Sequence, residues 1–268
     1  MDSNIVRLQV NNELRISNSA ACPVVAMLRP RSGLAQWMVR EEYTLEPWVP
    51  TVEYTDPYGN LCQRFTVPEG GMRVQVQVVM DTEEDLAVAP DAAATPVEHL
   101  PDAALMYLLQ SRYCPSDRLE DKAKEIAGNA PAGYAQVEAI RLWIHENLQY
   151  QYGVSDSATD AMQTLEHGAG VCRDFAHVGI SLTRALRIPA RMVAGYLHRL
   201  DPMDMHAWFE AFIGGRWYTF DATQSKPVGG RVVVGYGRDA ADVAFISNYG
   251  EMEIEDMKVS VERAPSPR

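Results

Sequence analysis

One cysteine in this chain stands where a thiol can react. In GAGVCRDFAHVGISLTRALRIPARMVAGYL, residues 168–197, Cys172 follows two glycines and opens an amphipathic run. Gly168 and Gly170 free the backbone for a sharp turn, and the first-turn N–H groups of the helix then lack intrahelical partners. The positive end of the helix dipole favours a thiolate there by about 0.3–1 kcal/mol. That alone is too little to ionise a thiol at neutral pH, so a cationic neighbour, usually histidinium, is needed. The chemistry at Cys172 therefore turns on a histidine.

Six histidines are present, and His206 is distinguished by its surroundings. In MHAWFEAFIGGRWYTFDAT, two strand-like runs flank Gly214–Gly215, a two-residue hairpin signal. Pairing across that turn sets Ile213 beside Arg216 and Trp208 beside Asp221. Side chains alternate along a strand, so His206, Trp208 and Asp221 share one face. His206 becomes the diagonal neighbour of Asp221, within reach of a carboxylate–imidazole hydrogen bond. A carboxylate on one ring nitrogen fixes the tautomer and stabilises the imidazolium, while the other nitrogen faces the thiol. Cys172, His206 and Asp221 together make a nucleophile system.

The elements that must position these residues fall into two regions. Up to about residue 86, VRLQV, VVAML, QWMVREEYTL, TVEY, CQRFTV and RVQVQVVM alternate or are rich in β-branched residues. RPRSG, DPYGN and PEGG punctuate them, which predicts a β-sandwich-like unit over residues 1–95. Residues 87–104 are Ala/Pro-rich and read as a linker. Residues 96–268 then form a mixed helix and strand core, an α+β arrangement. Asp117 with Glu120 predicts a helix start, and Gly128 its stop. Val137, Ile140, Ile144 and Leu148 make one helical stripe. From Cys172, Phe175, Gly179, Leu182 and Leu186 make another, which Pro189 must end. ARMVAGYL, MHAWFEAFI, RWYTFD, RVVVGYG and KVSVER follow as strands, and the APSPR tail should fray.

The segments GVCRDFAHVGISLTRALRIPARMVAGYL and MHAWFEAFIGGRWYTFDAT resemble the core of the bacterial transglutaminase-like superfamily, which includes cysteine proteases. DPYGN and SRYCPSD resemble the β-rich N-terminal half of the same proteins. The resemblance implies a papain-like core, with the cysteine helix packed on an antiparallel sheet. It implies nucleophile Cys172, base Cys-paired His206 and orienting Asp221. It also implies an oxyanion hole built from the Cys172 backbone N–H and a second donor. Glu166 stands where papain-like enzymes carry glutamine, and its charge would repel an oxyanion. Tyr152, in YQYG, is the candidate donor, and Trp208 a candidate wall of the cleft. Trp143, Asp174 and His177 read as packing or helix-start residues.

Composition narrows the partners. A net charge of −12 should repel phosphate backbones and anionic lipid, which argues against nucleic acid and membrane surfaces. The first residues lack the basic start and apolar core of a signal peptide, and no run is apolar for long enough to span a bilayer. The expectation is a cytoplasmic chain with its four widely spaced cysteines reduced. No stretch resembles a calcium loop, no cysteine pair has zinc-knuckle spacing, and neither a metal nor another cofactor is implied. The expected substrate is a peptide or protein amide, cleaved through a thioester. The alternatives are acyl transfer to an amine, by a transglutaminase or an arylamine-acetyltransferase-like enzyme, and a non-catalytic binding module on the same fold.

Overall fold

In the computed structural model, which describes residues 4–33 and 35–264, the first third of the chain is strand. β1 (Ile5–Ser17), β2 (Cys22–Ala26), β3 (Gln36–Glu46), β4 (Val52–Thr55), β5 (Leu61–Val67) and β6 (Met72–Glu83) occupy the six stretches whose patterning predicts them. Alternation is strictest in β6, where every second residue from Met72 is buried. One face of that strand therefore goes entirely to the core. β1 and β6 pair antiparallel from Ile5 opposite Glu83 to Ile16 opposite Met72. Of the tail expected to fray, residues 265–268 lie outside the described residues.

Helices and a second set of strands follow: α1 (Asp102–Leu105), α2 (Glu120–Ala127), α3 (Tyr134–Asn147), β7 (Gln149–Tyr150), α4 (Ala161–His167), β8 (Ala169–Gly170) and α5 (Cys172–Ala185). β9 (Ala190–Leu197), β10 (Met205–Ile213), β11 (Arg216–Phe220), β12 (Arg231–Gly237), β13 (Ile246–Asn248) and β14 (Glu253–Arg263) complete the chain. The helix expected from Asp117 begins three residues later, because Ser116–Arg118 first make a separate 3-10 turn. The α3 stripe of Val137, Ile140, Ile144 and Leu148 is buried as its spacing requires.

α5 is more deeply placed than a single stripe suggests. Every residue from Asp174 to Arg184 is buried. Phe175, Val178 and Leu182 pack with Ile140 and Ile144 of α3, while Ala176 and Ile180 pack with Ala207, Phe209 and Ala211 of β10. A helix covered on two sides holds its first residue rigidly.

Three four-stranded sheets carry the architecture, in the orders β14-β1-β6-β3, β13-β2-β5-β4 and β11-β10-β9-β12. The first two form the sandwich, and the third lies under α5. Strand pairing and packing cross the expected division at residue 95 in two places. β13 pairs with β2 and β14 with β1, so the last strands close the sandwich rather than the 96–268 core. One hydrophobic cluster also runs from Val10, Val24 and Val76 of the sandwich to Ala194, Tyr196 and Val232 of the third sheet. The physical reason is that β9 and β12 bury their outer face against the sandwich. The Ala/Pro stretch is no free linker either, since Ala87, Ala89, Ala92 and Ala94 pack on the α5–sheet core. Among the described residues no helix is long and apolar enough to cross a membrane.

Candidate active site

The turn before Cys172 is built from three interlocking parts. Gly168 ends α4 in the left-handed conformation, at φ 67°. β8 then pairs in parallel with β7, setting Tyr150 opposite Gly170. Finally, the carboxylate of Asp174, fully buried, accepts the Val171 backbone N–H at 2.9 Å and the Ser155 hydroxyl. A Cβ on Gly170 would lie 2.7 Å from the Asp174 Cβ, so only glycine lets that carboxylate fold under the turn. Asp174 therefore fixes the first turn of α5. Cys172 is half-buried at the helix start, whereas Cys22, Cys62 and Cys114 are buried.

The hairpin register is the one that the Gly214–Gly215 turn predicts, with Ile213 opposite Arg216 and Phe209 opposite Phe220. It brings His206 and Asp221 together: Nε2 stands 2.8 Å from Asp221 Oδ2, with both side chains almost wholly buried. Nδ1 is then the ring nitrogen that the carboxylate leaves open. Burial works against the imidazolium, but the Asp221 carboxylate and the Cys172 thiol outweigh it and push His206 up to about 9. Burial likewise opposes the Asp221 charge, yet His206 and Arg231 hold that carboxylate well below its ordinary range. Its other oxygen, Oδ1, accepts the Thr223 backbone N–H at 3.0 Å and the Thr223 hydroxyl at 2.7 Å.

The two further residues expected at the site, Tyr152 and Trp208, differ in their placement. Tyr152 is 56% exposed and meets the Tyr150 ring edge-on at 5.6 Å. Tyr150 is the tyrosine beside the cysteine. Partial desolvation, the neighbouring Cys172 side chain and the Tyr152 hydroxyl raise its phenol above the usual range even though the residue is 44% exposed, while the Cys172 backbone N–H acts the other way. Trp208, expected to wall the cleft, is 1% exposed and packs behind His206 with ring centres 6.0 Å apart. The Arg231 guanidinium covers it, 4.7 Å from the ring centre. Trp143 packs partly buried beside the α3 core under Lys122, and Glu166 is exposed on α4.

Sequence reasoning missed Arg231 and Tyr150. Arg231 Nη2 donates to Asp221 Oδ2 at 2.8 Å from β12. Its neighbour in sequence gives no sign of that contact, since it depends on β12 lying beside β9. Tyr150 ends the two-residue strand β7 opposite Gly170, whereas Tyr152 lies beyond that strand.

With this geometry in place, the chain can be set beside known proteins. Residues 120–222 match the family model of the transglutaminase-like superfamily, and residues 17–83 that of the bacterial transglutaminase-like N-terminal region. The crystal structure of the "Putative Cysteine Protease" from Cytophaga hutchinsonii is 33% identical. It superposes with a TM-score of 0.93 over 99% of this chain and 93% of that one. An uncharacterized protein of Mycobacterium leprae is 29% identical over 255 residues, 88% of this chain and 90% of the relative. One of Mycobacterium tuberculosis is 29% identical over 270 residues, 87% of this chain and 84% of the relative.

Proposed function

We propose that this chain, which belongs to the bacterial transglutaminase-like superfamily, hydrolyses a peptide or amide bond through a thioester on Cys172. The superfamily is one of cysteine-based acyl transfer. The observation that carries the reading is the buried 2.8 Å contact of His206 with Asp221, which leaves the other ring nitrogen to the thiol at the start of α5. An imidazole so held can take a proton, keep it and return it.

The steps follow from that arrangement. His206 Nδ1 takes the thiol proton, and the Cys172 sulfur forms a bond to the amide carbonyl carbon. Negative charge moves onto the carbonyl oxygen, where the Cys172 backbone N–H and the Tyr150 hydroxyl are the donors at hand. The carbon–nitrogen bond then breaks, and the imidazolium gives its proton to the leaving amine. Water enters next, loses a proton to His206 and attacks the thioester, releasing the acid and restoring the thiol. Asp221 stays ionised throughout and stabilises the imidazolium.

The test is intact-mass spectrometry of the chain with a panel of peptide amides, with and without an added primary amine. Acylation of Cys172, turnover to the free acid and their loss in Cys172→Ala are expected. Unacylated protein with turnover unaffected in Cys172→Ala would sink the proposal. Product carrying the added amine in place of acid would reassign the reaction to transfer.

A further inference from the structure

A line of contacts runs from the N-terminal strands to the carboxylate behind His206. Residues 229–231 lead into β12 against the end of β6. The Gly230 N–H donates to the Glu83 carbonyl at 2.9 Å, and the Thr82 hydroxyl donates to the Arg231 carbonyl at 2.7 Å. A Cβ on Gly229 would fall 2.0 Å from the Glu84 carbonyl oxygen, so the two backbones touch. β6 thus fixes the backbone from which Arg231 projects.

The side chain is fixed as firmly. Arg231 is 5% exposed. Nε donates to the Val228 carbonyl at 2.8 Å, and Nη2 to Asp221 Oδ2 at 2.8 Å. The guanidinium lies 4.7 Å from the centre of the Trp208 ring, the same ring that backs His206. A planar fork held at these points presents its charge to Asp221 in one orientation.

We infer that Arg231 is a positioning residue for the chemistry at Cys172, and that the N-terminal β unit acts on that chemistry through Thr82 and Arg231. The inference rests on the acyl-transfer reading above. Arg231 and His206 share one carboxylate oxygen. The cation therefore decides where the carboxylate stands, and it also draws on the charge available to the imidazolium. The groups that face His206 are Cys172 from α5, Asp204 from the loop before β10, Asp221 after β11 and the Thr223 hydroxyl, with Arg231 of β12 beyond Asp221. Among these Arg231 is the permanent cation.

The experiment follows iodoacetamide alkylation of Cys172 against pH in the full chain, with thermal melting alongside. In the parent, a transition near 9 should report loss of the His206 proton. Arg231→Gln keeps a neutral donor toward Asp221 and removes the charge. The carboxylate then serves the imidazolium alone, and the transition should rise by about one pH unit. A purely structural arginine would lower the melting temperature and leave the transition in place. A transition that stays or falls overturns the inference. Should Arg231→Gln not fold, Thr82→Val decides, since it spares the guanidinium and frees the Arg231 carbonyl. A smaller rise is expected there, and a parental profile overturns the inference. A parent without any such transition removes the Cys172–His206 pair, and this inference with it.

Discussion

Two histidines are buried in this protein, and their surroundings drive them in opposite directions. His206 is pushed up to about 9 and His177 down to about 3. His177 lies in α5, stacked on the Tyr113 ring at 5.0 Å, with Nε2 accepting the Ala240 backbone N–H at 3.1 Å. Burial lowers it first, and the cations Arg173 and Arg184 add to that effect. His206 suffers the same burial but has Asp221 at 2.8 Å. Burial alone makes a neutral spacer of an imidazole, whereas one directly bonded carboxylate makes it a charged group. The difference between the two rings is a single carboxylate oxygen at hydrogen-bond distance.

The strongest way to break the comparison is to take that charge away. Asp221→Asn should leave the fold in place and lower turnover on the order of 10^4-fold, because the imidazolium loses its counter-charge and the ring its tautomer. Turnover beside a thermal melt measures this, and an unchanged rate would remove Asp221 from the site.

Alkylation sharpens the comparison at the thiols. Burial pushes Cys114 up to about 12 and raises Cys62 as well. Iodoacetamide at pH 6 should therefore label Cys172 first, as read by peptide mass mapping. Equal labelling of Cys62 or Cys114 would count against a special thiol at the start of α5.

The opposite histidine offers the control. His177→Phe leaves the Ala240 N–H without its acceptor, which should cost about 1–3 kcal/mol in denaturant unfolding. Turnover should remain near the parental value. A large loss of turnover at full stability would mean that His177 takes part in the reaction.

The smallest effect is the pH dependence of stability, and its signs differ for the two rings. The raised His206 contributes fully below its ordinary 6.5, and its contribution is lost as pH rises through about 9. The depressed His177 contributes fully above 6.5, and its contribution is lost as pH falls toward about 3. Melting temperatures across pH should show the alkaline slope flatten in His206→Asn and the acid slope flatten in His177→Phe. Matching slopes in both variants would refute the contrast.

What could be read in the sequence was local. Strands of the sandwich follow from alternation, and the His206–Asp221 contact follows from counting back across Gly214–Gly215. Both need only neighbours along the chain. Arg231 reaches Asp221 because β12 pairs with β9 and β6 abuts residues 229–231, and neither relation leaves a periodic trace. Tyr150 faces the cysteine through a two-residue parallel ladder, too short to pattern. Trp208 sits on the predicted face of its strand, yet alternation gives a side chain's direction and not what covers it. β14 closes on β1 for the same reason that it went unassigned to the sandwich: its partner is the far end of the chain.

That last pairing also sets an order of events during synthesis. β1 is an inner strand, flanked by β6 on one side and β14 on the other. When β6 leaves the ribosome, β1 can pair along one edge only, and its second edge stays open until residues 253–263 emerge. At about 5–20 residues per second, that interval lasts roughly nine to thirty-six seconds. An open edge is a template for pairing with another chain. The nascent protein therefore carries an open edge on β1 until β14 has been made.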